Sequence, residues 1–284
     1  MSVSRRRFLQ TTGLLTAAGL LSRNDLFAGD SKLKNYGIQL WSVKNALAKD
    51  PKDVLKQLAS FGYTQIESFE GSNGMFWGMA PADFKKYMDD LGMKIISSHC
   101  NIEKDFEQKA ADAASIGMKY LICPYKGPQK SIDDFKKIAD EFNQKGDICK
   151  KNGIRFAYHN HDYSFKANDG QIPEDVMLAA TNPGTVDFEM DIYWVVTAGA
   201  DPVAYMKKYK NRFRLGHVKD RIKNTAETDA SCTLGEGCID YPSILKQAKA
   251  NGMEYFIVEQ ERYDNTTEMD SAKADAKYMS MLSV

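Results

Sequence analysis

Eight runs of strand length, each followed by a segment of helical period, predict an α/β chain folded as a single (β/α)8 barrel. Three observations carry that expectation. The runs recur about every 25–35 residues, the spacing of parallel strands joined by crossover helices. A glycine separates a helix end from the next strand five times, in F-G-Y-T, L-G-M-K, I-G-M-K, N-G-I-R and N-G-M-E, where a left-handed residue ends a helix without strain. Residues 29–284 number 256, close to the ~250 of this fold. An open doubly wound sheet would need a phosphate-cradling glycine loop after its first strand, and no G-x-G-x-x-G follows it here.

The elements are predicted in order. The first strand is Tyr36–Val43, and a helix over 53–61 stops at Gly62. The second strand is Thr64–Phe69; a loop over 70–79 precedes a helix opened by Pro81 and closed by Gly92. The third strand ends at His99 and its helix at Gly117. The fourth strand is Lys119–Tyr125, with a long helix over 131–151 ending before Gly153. The fifth runs from Ile154 to His161, followed by a loop and a helix over 173–180; the sixth ends at Asp191. A helix over 201–212 leads to the seventh strand, Phe213–Asp220, and a loop of about 20 residues. A helix over 241–251, the eighth strand, Tyr255–Glu261, and a helix over 271–282 complete the chain.

Composition excludes several classes. With 43% hydrophobic and 27% charged residues the chain is ordinary globular protein, and 38 basic against 38 acidic residues offer no broad positive field for nucleic acid. Five cysteines without a C-x-x-C pair give neither a zinc knuckle nor a disulfide framework. The N-terminus, S-R-R-R-F-L-Q and then an apolar small-residue run over 11–21, has the pattern of an export signal over residues 1–28. Arg5, Arg6, Phe8 and Leu9 resemble the twin-arginine type, which implies a periplasmic, exported product and favours a protein that folds around a metal before crossing. The run is about half the length that spans a bilayer. No stable membrane insertion is expected once it is removed, and the remaining barrel would carry about −3.

Polar side chains gather where such a barrel keeps its active site, at the C-terminal ends of the strands. They are Glu67, His99, His159 with His161, Glu189 with Asp191, His217 with Lys219, and Glu259 with Glu261; all four histidines of the chain are among them. Residues two apart share a face of a strand, so each pair can point inward. Two imidazoles and two carboxylates from adjacent strands suit one divalent ion such as Mn, Zn, Co or Mg, and burying them without a cation is costly. The structural alternatives are salt bridges to Lys219, Arg221 or Arg262. Cys232 and Cys238 read as loop thiols, Lys207–Lys210 as a solvated helix face, and Met75, Phe76, Trp77 and Met79 as either a lid or packing.

The chain resembles the xylose isomerase-like TIM-barrel superfamily, in its sugar phosphate isomerase and epimerase branch. The resemblance runs from about Tyr36 to the C-terminus and lies in G-I-Q-L-W-S-V, A-Y-H-N-H-D-Y-S-F, H-V-K-D, G-E-G-C-I-D-Y and I-V-E-Q-E. It implies one divalent metal held by His159, Asp191, His217 and Glu259. Many relatives place a glutamate where this chain has His159, which removes a charge and a base. His161, Glu67 or a hydroxide on the metal then serves as acid/base, while His99, Lys219 and Trp41 orient the substrate and Lys219 also meets enolate charge. The implied chemistry is proton abstraction next to a carbonyl of a keto-sugar.

Export and the lack of a phosphate loop favour a neutral sugar or glycoside, with a 3-keto-glycoside lyase as the specific expectation and an isomerase or epimerase beside it. The rival is a non-catalytic periplasmic sugar-binding barrel using Trp41 and Trp77. A DNA-repair endonuclease shares the barrel, but the signal and the histidine count argue against it. The expected partner is a small-molecule sugar, not nucleic acid; a homo-oligomer is compatible with the sequence.

Overall fold

The computed structural model describes residues 32–284, so the export-signal reading of residues 1–28 lies outside the described residues. Eight parallel strands close into a barrel: β1 (Gly37–Gln39), β2 (Gln65–Phe69), β3 (Lys94–His99), β4 (Tyr120–Cys123), β5 (Arg155–His159), β6 (Val186–Asp191), β7 (Phe213–Val218) and β8 (Tyr255–Val258), with β1 pairing both β2 and β8. The helices between them are α1 (Pro51–Phe61), α2 (Pro81–Asp90), α3 (Phe106–Ser115), α4 (Ile132–Lys151), α5 (Pro173–Ala180), α6 (Pro202–Lys208), α7 (Tyr241–Ala250) and α8 (Glu268–Met281). The (β/α)8 expectation is therefore met.

Local chemistry sets the helix ends. Asp50, Ser131, Asp201, Asp240 and Thr267 each accept a backbone N–H from the first turn. Proline opens α1, α2, α5, α6 and α7, where the first N–H has no helical partner.

The lumen is layered. Tyr120, Ile122, Ala157 and Leu215 form an apolar cluster of their own at the lower level, with Tyr255 packed against them. Two residues further along the strands, the inward positions become His159 above Ala157 and His217 above Leu215. The register brackets them with Glu189 beside His159 and Asp191 beside His217. The larger apolar core lies between the strands and the surrounding helices, where Phe84, Phe106, Phe142 and Leu245 are fully buried or nearly so. A dry lower layer thus supports a polar upper layer at the barrel mouth.

Five strands end sooner than expected, β4 among them at Cys123 rather than Tyr125. β1 stops at Gln39, because the Gln39 side chain accepts the Trp41 N–H and starts a short 3-10 turn over Leu40–Val43. β5 stops at His159, because the Asn160 side chain bonds the N–H and C=O of Asp191; His161 lies beyond the strand, before a second 3-10 turn. β7 and β8 stop at Val218 and Val258, leaving Lys219, Glu259 and Glu261 on the loops above. Asp191 caps an additional helix, Ile192–Thr197, whose uninterrupted apolar sequence carries no helical period. Met75, Phe76 and Trp77 are buried packing, with the Trp77 indole donating to Ser68 Oγ at 3.1 Å.

The loop after β7 is tied down by Asp220. Its carboxylate accepts the backbone N–H groups of Arg221, Gly235, Gly237 and Ile239. At Gly237 a Cβ would collide with that carboxylate, so this glycine is required by close approach rather than by its dihedral angles. The Tyr241 hydroxyl donates to Lys219 O and accepts from Lys219 N, each at 2.7 Å. The H-V-K-D and G-E-G-C-I-D-Y segments are in this way one interlocked unit.

Candidate metal centre and substrate cavity

His217 stands at the centre of the polar layer with its two ring nitrogens facing different groups. Nδ1 faces His159 Nε2 at 3.2 Å, Glu259 Oε2 at 3.2 Å and Asp191 Oδ2 at 3.7 Å, and His159 Nε2 lies 3.5 Å from the same Asp191 oxygen. Nε2 faces Glu67 Oε1 at 2.8 Å and Glu189 Oε2 at 3.3 Å. One imidazole therefore belongs to two clusters, both fully buried.

The outer cluster fits a cation. The Pro124 carbonyl, 3.2 Å from His159 Nδ1, can only accept, so that nitrogen carries the hydrogen and Nε2 presents a lone pair. Glu67 takes the Nε2 hydrogen of His217, so that Nδ1, which otherwise donates to Glu259 at 3.2 Å, would present a lone pair beside that of His159 once an ion displaced its proton. Asp191 Oδ1 accepts the Trp194 N–H at 3.2 Å, while its buried Oδ2 has no hydrogen-bond partner among the described residues. Two lone pairs and two carboxylate oxygens then face one point. Tetrahedral ligands ~2.0–2.2 Å from an ion stand ~3.3–3.6 Å from one another; four of the six separations here, at 3.2–3.7 Å, match that spacing, and all lie within 4.8 Å. Burial opposes charge on His217, yet Glu189, Glu259 and Asp191 hold its pKa well above the usual imidazole value. The field at this spot collects positive charge.

The inner cluster is largely met by hydrogen bonds, although Glu189 Oε1 is buried without a hydrogen-bond partner among the described residues. Glu67 Oε1 also accepts from Gln39 Nε2 at 2.8 Å, and Oε2 accepts from Ser97 Oγ at 2.6 Å. His99 Nε2 lies 2.8 Å from Glu189 Oε2 and 3.1 Å from Glu67 Oε1. Burial works against both charges, but the His99 and His217 imidazoles keep Glu67 well below the usual carboxylate range, and Glu67 with Glu189 pushes His99 up to about 10. His99 brings positive charge to this cluster, as Lys219 Nζ, 3.3 Å from Glu259 Oε2 and 4.0 Å from Asp191 Oδ2, does to the edge of the outer one.

A cavity of about 840 Å³ opens above the outer cluster and is lined by Trp41, His99, His159, His161, Glu259 and Glu261, among others. Of the residues singled out in the sequence, the structure brings His159, Asp191, His217 and Glu259 into one group and places Trp41, His99 and His161 around the space above it. His161 stacks on Trp194 with ring centroids 5.3 Å apart, and burial pushes its pKa down to about 3. Its buried Nδ1 has no partner among the described residues.

Two sequence-derived assignments need correction in position. Glu67 does not line the cavity; both its oxygens are held below the His217 ring. Lys219 does not line it either: its Nζ is turned onto Glu261 and Glu259 and lies about 5 Å from the Tyr193 and Trp194 ring centroids. The strand had already ended, so alternation no longer aimed the side chain. Glu261 was left without a role by the sequence reading, although it shares the face of Glu259; Tyr125 and Trp194 carried no periodic signal at all.

Residues 55–281 match the model of the xylose isomerase-like TIM barrel family. The chain belongs to that family. A solved sugar phosphate isomerase/epimerase from Parabacteroides distasonis is 33% identical, with a TM-score of 0.77 over 87% of this chain and 97% of that one. The inosose dehydratase of Clostridium beijerinckii is 27% identical over 146 residues, 46% of this chain and 48% of that protein, so the match spans about half the length of that relative. The IOLI protein, solved with a bound zinc atom, shares the fold at 14% identity and a TM-score of 0.70 over 86% of this chain and 95% of that one.

Proposed function

We propose that this family member is a divalent-metal enzyme that removes a proton next to the carbonyl of a keto-sugar or keto-glycoside. The observation that carries the reading is the cage of His159, Asp191, His217 and Glu259, with an unpartnered buried oxygen and two facing lone pairs, on the floor of a cavity large enough for a glycoside. A divalent ion there supplies Lewis acidity at the substrate carbonyl. The relatives named sugar phosphate isomerase/epimerase and inosose dehydratase are consistent with chemistry that begins in this way.

The chain's own residues supply the rest. Glu261 is the carboxylate that lines the cavity without belonging to the cage, and its ion pair with Lys219 orients it; it takes the proton. His99 Nε2 is committed to Glu67 and Glu189, which fixes the ring and leaves its exposed edge to orient substrate hydroxyls. The free Nδ1 of His161 addresses another oxygen of the sugar. Glu67 and Lys219 act through their neighbours, one by setting the His217 tautomer and the other by holding Glu259 and Glu261.

For a 3-keto-glycoside the balance is closed. The proton on carbon 2 passes to Glu261 and its electron pair forms the enolate; the bond from carbon 1 to the glycosidic oxygen then breaks. The enolate pair becomes the double bond between carbons 1 and 2, and the aglycone leaves with the electrons of the broken carbon–oxygen bond, takes back the proton held by Glu261 and departs as an alcohol beside an unsaturated keto-sugar. The reading includes export through Arg5 and Arg6, for which Arg5→Lys with Arg6→Lys should abolish appearance of the protein in the periplasmic fraction.

The test is elemental analysis followed by assay of 3-keto-glycosides and simple ketoses in deuterated water. About one equivalent of Mn, Zn, Co or Ni, with deuterium entering at the carbon next to the carbonyl, is expected. Glu261→Gln should keep the metal and slow exchange by roughly 10²–10⁴-fold. Sugar binding with neither metal nor exchange would instead make the protein a binding barrel.

A further inference from the structure

This inference rests on the sugar reading above and concerns the part of the ligand beyond the reacting ring. Two aromatic walls rise from the cavity floor on different sides of the barrel. One is Trp41 and Phe69, following β1 and ending β2; the other is Tyr125, His161 and Trp194, above β4, β5 and β6. Trp41 and Tyr125 are 39% and 54% exposed and, with Met281, are the exposed large hydrophobic side chains among the described residues. Both of the aromatic ones open onto the same cavity.

Trp41 is held in place rather than loose. Phe69 contacts it edge-on with centroids 5.0 Å apart, and Trp77 contacts Phe69 in the same way at 5.0 Å. Lys44 Nζ lies 3.9 Å from the Trp41 ring centroid. An exposed indole fixed by its neighbours binds a flat partner with little loss of side-chain freedom.

Charge narrows the partner. The ionisable lining away from the histidines is Glu70, Glu103, Glu259 and Glu261 against Lys104 and Lys126, with no arginine among the described lining residues. Lys126 is already engaged by Glu141 at 2.8 Å and Glu103 at 3.3 Å. The carboxylates are paired too, Glu70 with Lys109 at 2.8 Å and Glu259 and Glu261 with Lys219, so the lining carries little net charge and no planar guanidinium to receive a phosphate. The volume of about 840 Å³ lies toward the upper end of the range for sites that enclose drug-sized ligands, and one sugar ring leaves much of it open.

We propose that Trp41, buttressed by Phe69, is a subsite for a planar apolar ring joined to the sugar, so that the ligand is an uncharged glycoside with an aromatic aglycone. The sugar occupies the floor over His159 and Glu259, and the aglycone stacks on the indole.

The experiment is titration calorimetry on the metal-loaded protein with methyl and phenyl glycosides of glucose and galactose, and with glucose 6-phosphate. At least one phenyl glycoside should bind roughly three- to tenfold tighter than its methyl counterpart, the gain of an aromatic contact. Trp41→Ala should collapse that ratio toward one, and Trp41→Phe should restore part of it. Equal binding of the phenyl and methyl forms, or a ratio unchanged in Trp41→Ala, overturns the subsite while leaving the sugar reading intact. Tightest binding of the phosphate overturns the uncharged ligand. No binding of any of these sugars overturns the sugar reading together with the subsite.

Discussion

The outer and inner clusters share His217, have almost the same composition and each keep one buried carboxylate oxygen without a hydrogen-bond partner, Asp191 Oδ2 and Glu189 Oε1, yet they differ in how many donors surround the rest. Around Nδ1, His159, Asp191 and Glu259 leave lone pairs converging on one point. Around Nε2, both oxygens of Glu67 are met by Gln39, Ser97 and His99, and Glu189 is met at Oε2 by His99. Ligand type alone therefore does not mark a metal site; the hydrogen positions imposed by the next layer of groups do. In the proposed site, Pro124 and Glu67 set the hydrogens of the two imidazoles that would hold the ion.

The sharpest way to break this comparison is to remove one carboxylate from each side. Asp191→Asn keeps an oxygen able to cap the Ile192–Thr197 helix but replaces the orphaned anionic oxygen, and it should lose bound metal and at least about 10³-fold of activity. Glu189→Gln should retain one equivalent of metal by elemental analysis. Equal metal loss in both would show that the inner cluster also holds an ion. Next in size, Glu67→Gln leaves the cage intact but weakens the acceptor that fixes the His217 tautomer, and metal affinity should fall roughly 10–100-fold, as read by competition with a chromophoric chelator.

The barrel was legible because its punctuation is local: five glycines stop helices, and most strand runs lie close to where they were expected. The polar layer was legible because alternation puts His159, Glu189, Asp191 and His217 inward. Depth was not legible. Glu189 and Asp191 share a face but are separated by about 6–7 Å along the strand, and that step places one in each cluster. Nor could alternation show where a strand stops, which is why Lys219 was read as facing substrate when it lies behind Glu259 and Glu261. The pairing of Asp220 with the G-E-G backbone joins residues 15–19 apart through a loop with no periodic pattern.

The same reasoning extends to a carboxylate with no compensation. Glu174, in α5, is fully buried, and neither oxygen has a hydrogen-bond partner among the described residues. Burial, with the Asp175 charge, pushes its pKa up to about 8. A raised carboxyl pKa means that the folded chain binds more protons than the unfolded chain between the two values. Stability from this residue is thus fully present below the unfolded pKa of about 4.3 and declines as pH rises to about 8. Glu174→Gln removes that dependence. The melting temperature of the variant relative to the parent should climb across this window and level off above it, by at most about 5 kcal/mol in stability; a constant difference from pH 5 to 9 would mean that Glu174 is ionised and partnered in the folded protein.

Asp220 is the opposite case, a buried carboxylate met entirely by backbone N–H groups. Asp220→Asn keeps one acceptor oxygen but turns an amide toward N–H donors. The cost should be about 1–3 kcal/mol, the penalty of leaving buried donors unpaired. Because the loop it fixes is interlocked with Lys219 through Tyr241, the loss should be felt above the barrel mouth rather than in the cage itself. Denaturant titration should show the destabilisation, while metal content stays at one equivalent. Loss of metal in this variant would mean that loop order, and not only the His217 tautomer, sets the outer cluster, and the contrast between two sides of one imidazole would then be too local an account of the site.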